Sequence, residues 1–445
     1  MSLALRTPRL LNLLSRVSRY EDLRLQATIL LDGILRHMDE LHKDEAFNPG
    51  NNHGFYTAAS QLHLHKFGRA IPGIEYTGNV GAKRMSVMVD KQFAEDGVHL
   101  EHSPGYHQML LSSFEAAIND GLIQNEEIRE RIRRAAHVLG WMIQPDGHLV
   151  QFGDTQDTLM QSVLATSLDP ETQFVLTGGM SGTAPVAELA VFNDGGYAFV
   201  RSPAPQTSSE IASAGYLAFS AAFHSRAHKH ADDLNIVWYD RGSEILVDSG
   251  RYGYGDFLPA DSPQRAQGFY YASMERQYVE GTSAHNTLMM DGADQLRRGR
   301  IPYGSGIIEA THTAGSFDIS ARANHTDYLH RRRVVYRPGR KLQVLDSVYS
   351  HNQESREATI WFNIDGRFEL IEFGDTLVFE RRTGTDGLRL EVSGPGTRLE
   401  PVLGGNDPLR GWRSRTDRTL EPVWSIGYTV PVQTRASVST TFRFI

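Results

Sequence analysis

Apolar residues recur at intervals of three and four positions along the first part of the chain, from residue 7 to about residue 180. This spacing is typical of helices that bury one face. Turn residues, such as those from Asn48 to Asn52 and from Gln144 to Gly147, separate the runs and predict helical hairpins. The predicted helical runs are Leu10 to Val17, Leu23 to Met38, Phe55 to Phe67, Val80 to Phe93, Tyr106 to Asn119, Glu126 to Ile143 and Thr158 to Ser167.

The pattern changes after the glycine-rich stretch from Thr177 to Gly182. Short alternating or wholly apolar runs follow, separated by turns and without helical runs between them, and such runs are typical of strands in antiparallel sheets. We therefore predict an α+β protein, with a helical domain over residues 1–185 and an antiparallel β-sandwich of large sheets over residues 186–445. The clearest predicted strands are Leu189 to Phe192, Tyr197 to Arg201, Leu217 to Ala222, Ile245 to Asp248, Arg332 to Tyr336, Leu342 to Val348, Ala358 to Phe362 and Ser437 to Phe444.

Composition narrows the class of function. With 445 residues and 40% hydrophobic content, the chain can bury a large core. Its net charge of −8 does not favour nucleic acid or an anionic membrane surface as a partner. The sequence shows no signal peptide and no membrane span. Because it contains no cysteine, any metal must be held by histidine and carboxylate side chains.

The richest cluster of polar chemistry lies just ahead of the apolar run from Ile236 to Tyr239. If this segment is extended, His228, His230 and Asp232 share one face, because side chains alternate along a strand. Such a face suits a metal site or a proton-transfer site. A solvated edge strand with ordinary polar residues explains the same pattern equally well.

Three further polar sites can each be interpreted either as functional or as purely structural. Asn52 and His53 stand at a predicted helix start, where an asparagine at position 51 or 52 is a favoured N-cap, although amide and imidazole also suit a carboxylate ligand. Tyr106 follows a loop with several histidines, and half-buried tyrosines are common. His285 precedes an apolar strand, where a single histidine is more often structural than a metal ligand.

Together these fragments resemble the heparinase II/III-like polysaccharide lyases, whose relatives include alginate lyases. Order and spacing agree as well as residue type. The resemblance implies an incomplete (α/α) toroid of helical hairpins followed by antiparallel β-sheet layers. The matching motifs are Asn52-His53, Asp96-Gly97 through Glu101, Ser103 to His107, His228 to Asp232, Leu246 to Tyr252 and Ala284 to Thr287.

The resemblance also implies β-elimination in a uronate-containing polysaccharide, which leaves an unsaturated uronate. Asn52 or His53 would neutralise the substrate carboxylate, and which of the two faces it stays open. Tyr106 would be the central acid or base and His228 the second catalytic group. A tyrosine that acts as a base near neutral pH needs positive charge or donors nearby, and we expect His102, His107 and His228 to supply them.

The family's metal site would match His230, Asp248 and His285. Imidazole and carboxylate ligands suit zinc. Because the elimination asks for no activated water, we expect the zinc to be structural and to fix the loop that carries His228.

Two other functions remain open. A zinc hydrolase would use His228, His230, Asp232 and a bound water, although the chain lacks a His-Glu-x-x-His helix. A non-catalytic carbohydrate-binding or exopolysaccharide assembly protein would keep the same fold. The expected partner is an anionic polysaccharide: a glycosaminoglycan, alginate or a bacterial exopolysaccharide. The resemblance suggests a periplasmic or secreted bacterial protein, and the short helical region ahead of Asn52 implies an open cleft or a wall supplied by another subunit of a homo-oligomer.

Overall fold

The computed structural model describes residues 2–164, 166–298, 304–352, 354–383 and 386–445. Helices dominate these residues up to position 176, and only short helices occur after it. The helices are α1 Ser2–Val17, α2 Arg24–His42, α3 Asn52–Phe67, α4 Thr77–Gln92, α5 Pro104–Asn119, α6 Glu126–Met142, α7 Pro170–Leu176, α8 Ser208–Ser213, α9 Pro263–Gln267 and α10 Met274–Glu280.

Strands begin at residue 189 and continue almost to the last residue. They are β1 Leu189–Phe192, β2 Tyr197–Ser202, β3 Gly215–Ser220, β4 Ala222–Phe223, β5 Asn235–Asp240, β6 Ser243–Leu246, β7 Leu288–Met290, β8 Gly304–Ser305, β9 Ile307–Thr313, β10 Ser316–Asn324, β11 Tyr328–Arg337, β12 Lys341–Ser350, β13 Arg356–Ile364, β14 Glu369–Phe373, β15 Leu377–Thr383, β16 Asp386–Ser393, β17 Thr397–Arg398, β18 Val402–Leu403, β19 Gly405–Asn406, β20 Leu409–Arg410, β21 Trp412–Arg413, β22 Glu421–Pro422, β23 Trp424–Val432 and β24 Arg435–Phe444.

The chain forms two compact units, residues 1–100 with 109–135 and residues 101–108 with 136–445. Helices α5 and α6 contribute residues to both units. The predicted domain boundary at residue 185 marks the change from helices to strands, which is a different criterion, and it stays a prediction.

The first unit is built from packed helical hairpins. Helices α1 and α2 pack together, as do α3 and α4. Their apolar faces bury a small core that includes Leu11, Ile34 and Leu64. The buried guanidinium of Arg84 on α4 donates to the backbone carbonyls of residues 41, 42 and 43, and it thereby satisfies carbonyl groups that the end of α2 leaves without an intrahelical partner.

One predicted helix is wrong. In the described part of this segment, residues 158–164 with 166 and 167, the structure has a 3₁₀ turn at Met160–Ser162 and no α-helix, because the backbone at 158–160 pairs instead with residues 147–149. The N–H of Leu149 donates to Thr158, and the N–H of Met160 donates to Gly147. The helix forms later, at α7, where Asp169 caps the first turn and Pro170 occupies a first-turn position that needs no N–H donor.

Two large antiparallel sheets form the second unit. The first has the strand order β1-β2-β3-β5-β6-β13-β23-β17, with β7 paired to β13 and β18 to β23, and the second has the order β14-β15-β16-β24-β12-β11-β10-β9. Strand β11 shows why the sheets pack: Val334 and Tyr336 are buried, whereas the alternate residues Arg333 and Arg337 are exposed. One apolar core takes side chains from both sheets, so the predicted α+β architecture of helices followed by an antiparallel sandwich is confirmed.

A buried ion cluster ties the second sheet to the loops of the first. Arg332 on β11 is fully buried and forms a bidentate pair with Asp346 on β12, at 2.7 and 3.0 Å. His330 donates to the same carboxylate at 2.6 Å. The remaining guanidinium nitrogen of Arg332 donates to the carbonyls of Leu234 and Asn286. These carbonyls belong to the loops that carry the candidate metal ligands, so the core arginine fixes their backbone.

Among the residues that the structure describes, none of the helices combines the length and the apolar character that crossing a bilayer requires.

Candidate active site and metal centre

Tyr106 lies in the first turn of α5, and Ser103 holds the start of that helix. The Ser103 hydroxyl accepts a hydrogen bond from the N–H of Tyr106 at 3.3 Å and donates to the carbonyl of Asp154 at 3.0 Å. The phenol itself is half-buried. The helix start therefore places Tyr106 beside the loop that contains Asp154.

The rings of Tyr106 and His228 stack on each other. Their centroids are 3.5 Å apart and their planes are inclined by 18°. His228 adopts a left-handed backbone conformation with φ of 54°, and Leu234 does the same at 59°. The segment from His228 to Leu234 is therefore not the extended strand considered from the sequence, and alternation does not set where these side chains point.

A buried carboxylate, that of Asp154, organises the site. Its Oδ2 accepts from His228 Nδ1 and from the Tyr254 hydroxyl, each at 2.9 Å. Its Oδ1 accepts from His230 Nε2 at 3.0 Å and from Arg276 at 2.5 Å. Burial alone would raise the pKa of Asp154, but the Arg276 guanidinium and the histidine hydrogen bonds outweigh it and hold that pKa well below its usual range.

The bond to Asp154 fixes which nitrogen of His228 holds the proton when the ring carries only one. A carboxylate can only accept, so Nδ1 of His228 carries the proton that points to Asp154. The lone pair then lies on Nε2, on the far side of the ring. Nε2 is 3.6 Å from a carboxylate oxygen of Glu101. Burial raises the pKa of Glu101, with the charge of His228 acting in the opposite direction.

The hydroxyl of Tyr254 links Tyr106 to Asp154. The two tyrosine oxygens are 2.9 Å apart, and because Tyr254 gives its own proton to Asp154, its oxygen accepts from Tyr106. Burial raises the pKa of Tyr106, although the bond to Tyr254 acts against the rise. The expected lowering of this pKa by neighbouring cations is wrong for His102, because burial lowers the pKa of His102 to about 3 and leaves its ring neutral.

Gly153 sits where the backbone of the Asp154 loop passes under His228. Its φ of 53° lies in the left-handed region, and a Cβ at this position would stand 2.4 Å from the carbonyl oxygen of His228. The N–H of Asp154 donates to that same carbonyl at 3.1 Å. Only a glycine lets the two loops approach this closely.

The candidate metal ligands His230, Asp248 and His285 converge as the sequence indicates. One ligand atom from each lies within 4.8 Å of the others, and all three residues are buried. His230 lies in the loop ahead of β5, Asp248 follows β6, and His285 follows a 3₁₀ turn ahead of β7. The stretch between Asp248 and His285 contains the short helices α9 and α10, and His285 lies in the cluster.

The donor atoms of this cluster fit a zinc ion. Among the described residues, Nδ1 of His230 and Nε2 of His285 are buried without a hydrogen-bond partner. For His230 the other ring nitrogen, Nε2, contacts the carboxylate of Asp154 at 3.0 Å, and metal-binding histidines are commonly oriented in this way. Nδ1 of His285 contacts Asp248, itself a candidate ligand, at 2.9 Å. Imidazole nitrogens and a carboxylate are a set that zinc accepts.

The ligand set of the hydrolase alternative does not converge on one point. His228 and His230 both face the carboxylate of Asp154. Asp232 instead forms a buried ion pair with Lys229. Burial would raise the pKa of Asp232, but Lys229 outweighs it and lowers that pKa. These contacts give no support to a water-activating site built from His228, His230 and Asp232.

Asn52 and His53 lie in the first unit, whereas Tyr106, His228 and the metal cluster lie in the second. Asn52 is the first residue of α3, and Asn51 is the N-cap, with its side-chain oxygen accepting from the N–H of His53 at 2.9 Å. The capping alternative is thus confirmed for Asn51. It leaves the side chains of Asn52, partly exposed, and His53, exposed, available to a ligand.

A cavity of about 690 Å³ adjoins the tyrosine pair. Tyr254 and Arg276, which both bind Asp154, form part of its wall, together with Arg418. The ring of Tyr271 stacks on that of Tyr254 with centroids 5.1 Å apart. Open space therefore borders two of the side chains that bind Asp154, as expected beside a substrate site.

Sequence reasoning missed Asp154, Tyr254 and Arg276. Each lies far along the chain from the residues it contacts, and none stands in a motif with its own chemical signature. A weak signal existed in the glycines next to Asp154 and Tyr254, because glycine often marks a close approach of two chain segments.

Comparisons with known proteins agree with this fold. Residues 34–173 match the family model described as heparinase II/III N-terminus, and residues 184–440 match heparinase II/III-like, C-terminal. A search of the curated proteins found no match.

Three solved structures are similar in fold: a heparinase III gene product with methylated lysines, a heparinase III, and a mutant of the heparan sulfate lyase HepC from Pedobacter heparinus. Identities are 14%, 16% and 15%, and TM-scores are 0.78, 0.77 and 0.72. The matches cover 100%, 100% and 93% of this chain but only 66%, 69% and 63% of those chains. At these identities the likeness concerns the fold, whereas the family models match most of the sequence. The chain therefore belongs to the heparinase II/III-like family.

Proposed function

We propose that this protein is a polysaccharide lyase that cleaves a uronate-containing polysaccharide by β-elimination. The observation that supports this most directly is the stacked pair of Tyr106 and His228, joined through Tyr254 and Asp154 into one hydrogen-bonded network. Such a network holds two proton-transfer groups side by side at an accessible site. Membership in the heparinase II/III-like family adds to this support.

The reaction needs one group to take a proton and another to give one. A base removes the proton at C5 of the uronate, the C4–O4 bond breaks as the C4=C5 double bond forms, and an acid protonates the departing O4. Proton transfer by a positioned side chain typically contributes about 10²–10⁴-fold to such a rate. The base and the acid must lie close together, because O4 is bonded to C4, the carbon next to C5 in the same sugar.

The geometry favours His228 as the base and Tyr106 as the acid. With its Nδ1 proton committed to Asp154, His228 offers the lone pair on Nε2. Tyr106 keeps its proton at neutral pH, because burial raises its pKa. It can pass that proton to O4. The proton that His228 took from C5 then returns to Tyr106 by relay from Nδ1 of His228, 3.1 Å from the Tyr254 hydroxyl, through Tyr254, which lies 2.9 Å from Tyr106.

The substrate carboxylate needs donors that strengthen as negative charge develops on it. We assign this role to the amide of Asn52 or the imidazole of His53, two side chains that their helix start leaves available. One such donor typically lowers a barrier by about 3 kcal/mol.

A zinc ion would be held by His230, Asp248 and His285, and when bound it would supply a rigid cross-link rather than an activated water. Asp154 connects the candidate metal ligand His230 to the proposed base His228, because it contacts His230 with one carboxylate oxygen and His228 with the other. His230 thereby helps to orient the carboxylate that orients the base. Location outside the cytoplasm and a homo-oligomeric state stay predictions.

The test is to incubate the purified protein with a panel of polymers, namely heparan-type and hyaluronan-type glycosaminoglycans, alginate and bacterial exopolysaccharides. Ultraviolet absorbance detects the unsaturated uronate, and Tyr106→Phe protein serves as the matched control. We expect an increase in absorbance with at least one polymer that is lost in the variant.

Two results would contradict the proposal. Polymer binding without any unsaturated product would identify a non-catalytic carbohydrate-binding protein. Shorter chains with new reducing ends but no ultraviolet absorbance, lost on chelation of metal, would identify a hydrolase.

A further inference from the structure

A second cavity lies next to the proposed base. Its volume is about 480 Å³, and its walls are His224, Ser225, Arg226, Ala227 and Tyr270. Ala227 precedes His228 in the chain, so the Cα atoms of the two residues are about 3.8 Å apart. A sugar bound with its reacting atoms at His228 therefore has neighbouring sugars within reach of this cavity.

Three arginines surround the one tyrosine of the cavity. Arg226 and Arg298 donate to the hydroxyl of Tyr270 at 3.0 and 3.3 Å. The guanidinium of Arg265 lies over the ring of Tyr270, 4.4 Å from its centroid. Burial would raise the pKa of Tyr270, but Arg298 and Arg226 outweigh it and lower that pKa. The hydroxyl thus experiences a strongly positive field.

Within residues 2–298 and the other described ranges, none of Arg226, Arg265 and Arg298 forms an ion pair with a carboxylate, in contrast to their neighbours. Arg297 pairs with Glu280 at 2.6 Å, and Arg276 pairs with Asp154 at 2.5 Å. Clustered guanidinium groups repel one another, and an anion in the cavity would relieve that repulsion.

The loop that presents Arg226 is held in place before any ligand arrives. The neutral ring of His102 accepts from the N–H of His224 at 2.8 Å and donates to the carbonyl of Ala227 at 3.1 Å. Both ends of the loop are therefore anchored to one buried side chain. A binding group on an anchored loop loses less conformational freedom when it engages a ligand.

We propose that the cavity walled by Arg226 and Tyr270, with Arg265 and Arg298 packed against Tyr270, is an oxyanion subsite, which binds a second negatively charged group of the polysaccharide on a sugar adjacent to the cleaved uronate. Guanidinium groups bind sulfate and carboxylate by the same charge-assisted hydrogen bonds. The subsite therefore selects polymers that carry an anion on both sugars, whether as a sulfate beside the uronate or as consecutive uronates. This inference rests on the proposed function.

The experiment compares short oligosaccharides that differ only in the adjacent sugar. One pair shares an alternating uronate and glucosamine backbone and carries either N-sulfate or N-acetyl groups. A third ligand is an oligomer of consecutive uronates. Binding is measured by calorimetry in the Tyr106→Phe background, so that no ligand is consumed. The variants are Arg226→Gln with Arg298→Gln, and the control is Arg337→Gln, an exposed arginine on β11.

The preference is the ratio of the affinity for a doubly charged ligand to the affinity for the N-acetylated one. We expect this ratio to be about tenfold smaller in the protein with both Arg226→Gln and Arg298→Gln, equivalent to about 1.4 kcal/mol. Arg337→Gln should keep the preference. A loss confined to the N-sulfated ligand identifies sulfate, and a loss confined to the oligouronate identifies carboxylate. An unchanged preference overturns the subsite, as does the absence of any preference in the protein with its arginines intact.

The experiments can contradict the lyase function and the oxyanion subsite independently of each other. If the arginine variants lose the preference but the wild-type protein releases no unsaturated uronate from any polymer, the subsite stands and the lyase does not. If the product appears and the preference survives the substitutions, the lyase stands and the subsite does not.

Discussion

The ring of Tyr106 lies flat against the ring of His228, with 3.5 Å between their centroids. Replacing Tyr106 by phenylalanine keeps this stack and removes only the hydroxyl. We expect kcat to fall by about 10²–10⁴-fold, the usual contribution of a general acid. The melting temperature should change little, since the hydroxyl is half-buried and bonds mainly to Tyr254. Ultraviolet assays and thermal melts on the same preparation check both points, and near wild-type turnover would exclude Tyr106 as the acid.

Asp154 is expected to act as a positioning residue for His228. In Asp154→Asn, the amide cannot accept from four donors as the carboxylate does, and Arg276 loses a buried partner. Breaking a buried pair of this kind costs about 3–5 kcal/mol. Beyond the loss of stability, the pH profile of kcat/KM should change, because the proton on Nδ1 of His228 is no longer fixed.

Asp346→Asn is the matched control for Asp154→Asn. It also removes a buried carboxylate paired with an arginine, but in the sheet core. Both variants should melt at lower temperature, and only Asp154→Asn should alter the pH profile, measured well below either melting temperature. If Asp154→Asn and Asp346→Asn gave the same pH profile of kcat/KM, the role of Asp154 would be purely structural.

Metal removal should lower stability and activity together. His230→Ala, or a chelator added to the wild-type protein, removes the proposed link between the loops of His230, Asp248 and His285. Each kcal/mol lost shifts the melting temperature by about 2–4 °C in a domain of 150–250 residues. Zinc content by elemental analysis and recovery of the melting temperature on zinc addition are the measurements.

The control for His230→Ala is His351→Ala, which alters an exposed histidine. It should leave zinc content and melting temperature as they are. Should the chelated protein melt where the untreated protein does, the structural zinc is excluded.

Acid should unfold the sandwich partly through Asp346. Burial would raise the pKa of this group, but Arg332 and His330 outweigh it and lower the pKa to about 2, from 3.8. Because the folded value is the lower one, the unfolded chain binds the proton first, and stability falls as the pH drops from about 4 to about 2. The contribution at neutral pH is about 2 kcal/mol by linkage.

The comparison that tests this is the free energy of unfolding of wild-type and Asp346→Asn protein as a function of pH. The difference between them should be largest above pH 4 and shrink toward pH 2. A difference that stays constant over that range would show that Asp346 does not titrate as described.

The order of elements could be predicted from the sequence because it depends on local periodicity. Val334 and Tyr336 alternate with arginines, and that alternation alone indicates a half-buried strand. That His230, Asp248 and His285 would converge could be predicted because they stand in motifs whose order resembles a known family, and their role as metal ligands stays a prediction. The helix predicted from Thr158 was wrong because the backbone there forms hydrogen bonds with residues 147–149. Apolar spacing carries no information about such partners.

The Asp154 network could not be predicted for a related reason. His228 reaches Asp154 only through a left-handed backbone conformation that the sequence pattern does not disclose. Arg276 reaches it from α10, between the motifs that carry the resemblance. Where a charge ends up depends on how loops cross, and this depends on the whole fold.

The crossing of the Gly153 and His228 backbones makes the proposed chemistry sensitive to a residue that has no side chain. A single methyl group at position 153 would meet the carbonyl of His228 at 2.4 Å and push the imidazole off the phenol below it. Gly153→Ala would thus impair proton transfer while leaving every acid, base and metal ligand in the sequence. A mutational scan that considers only lost functional groups would assign position 153 a purely structural role. The backbone at this position nevertheless supports the spacing of the stacked Tyr106 and His228 rings.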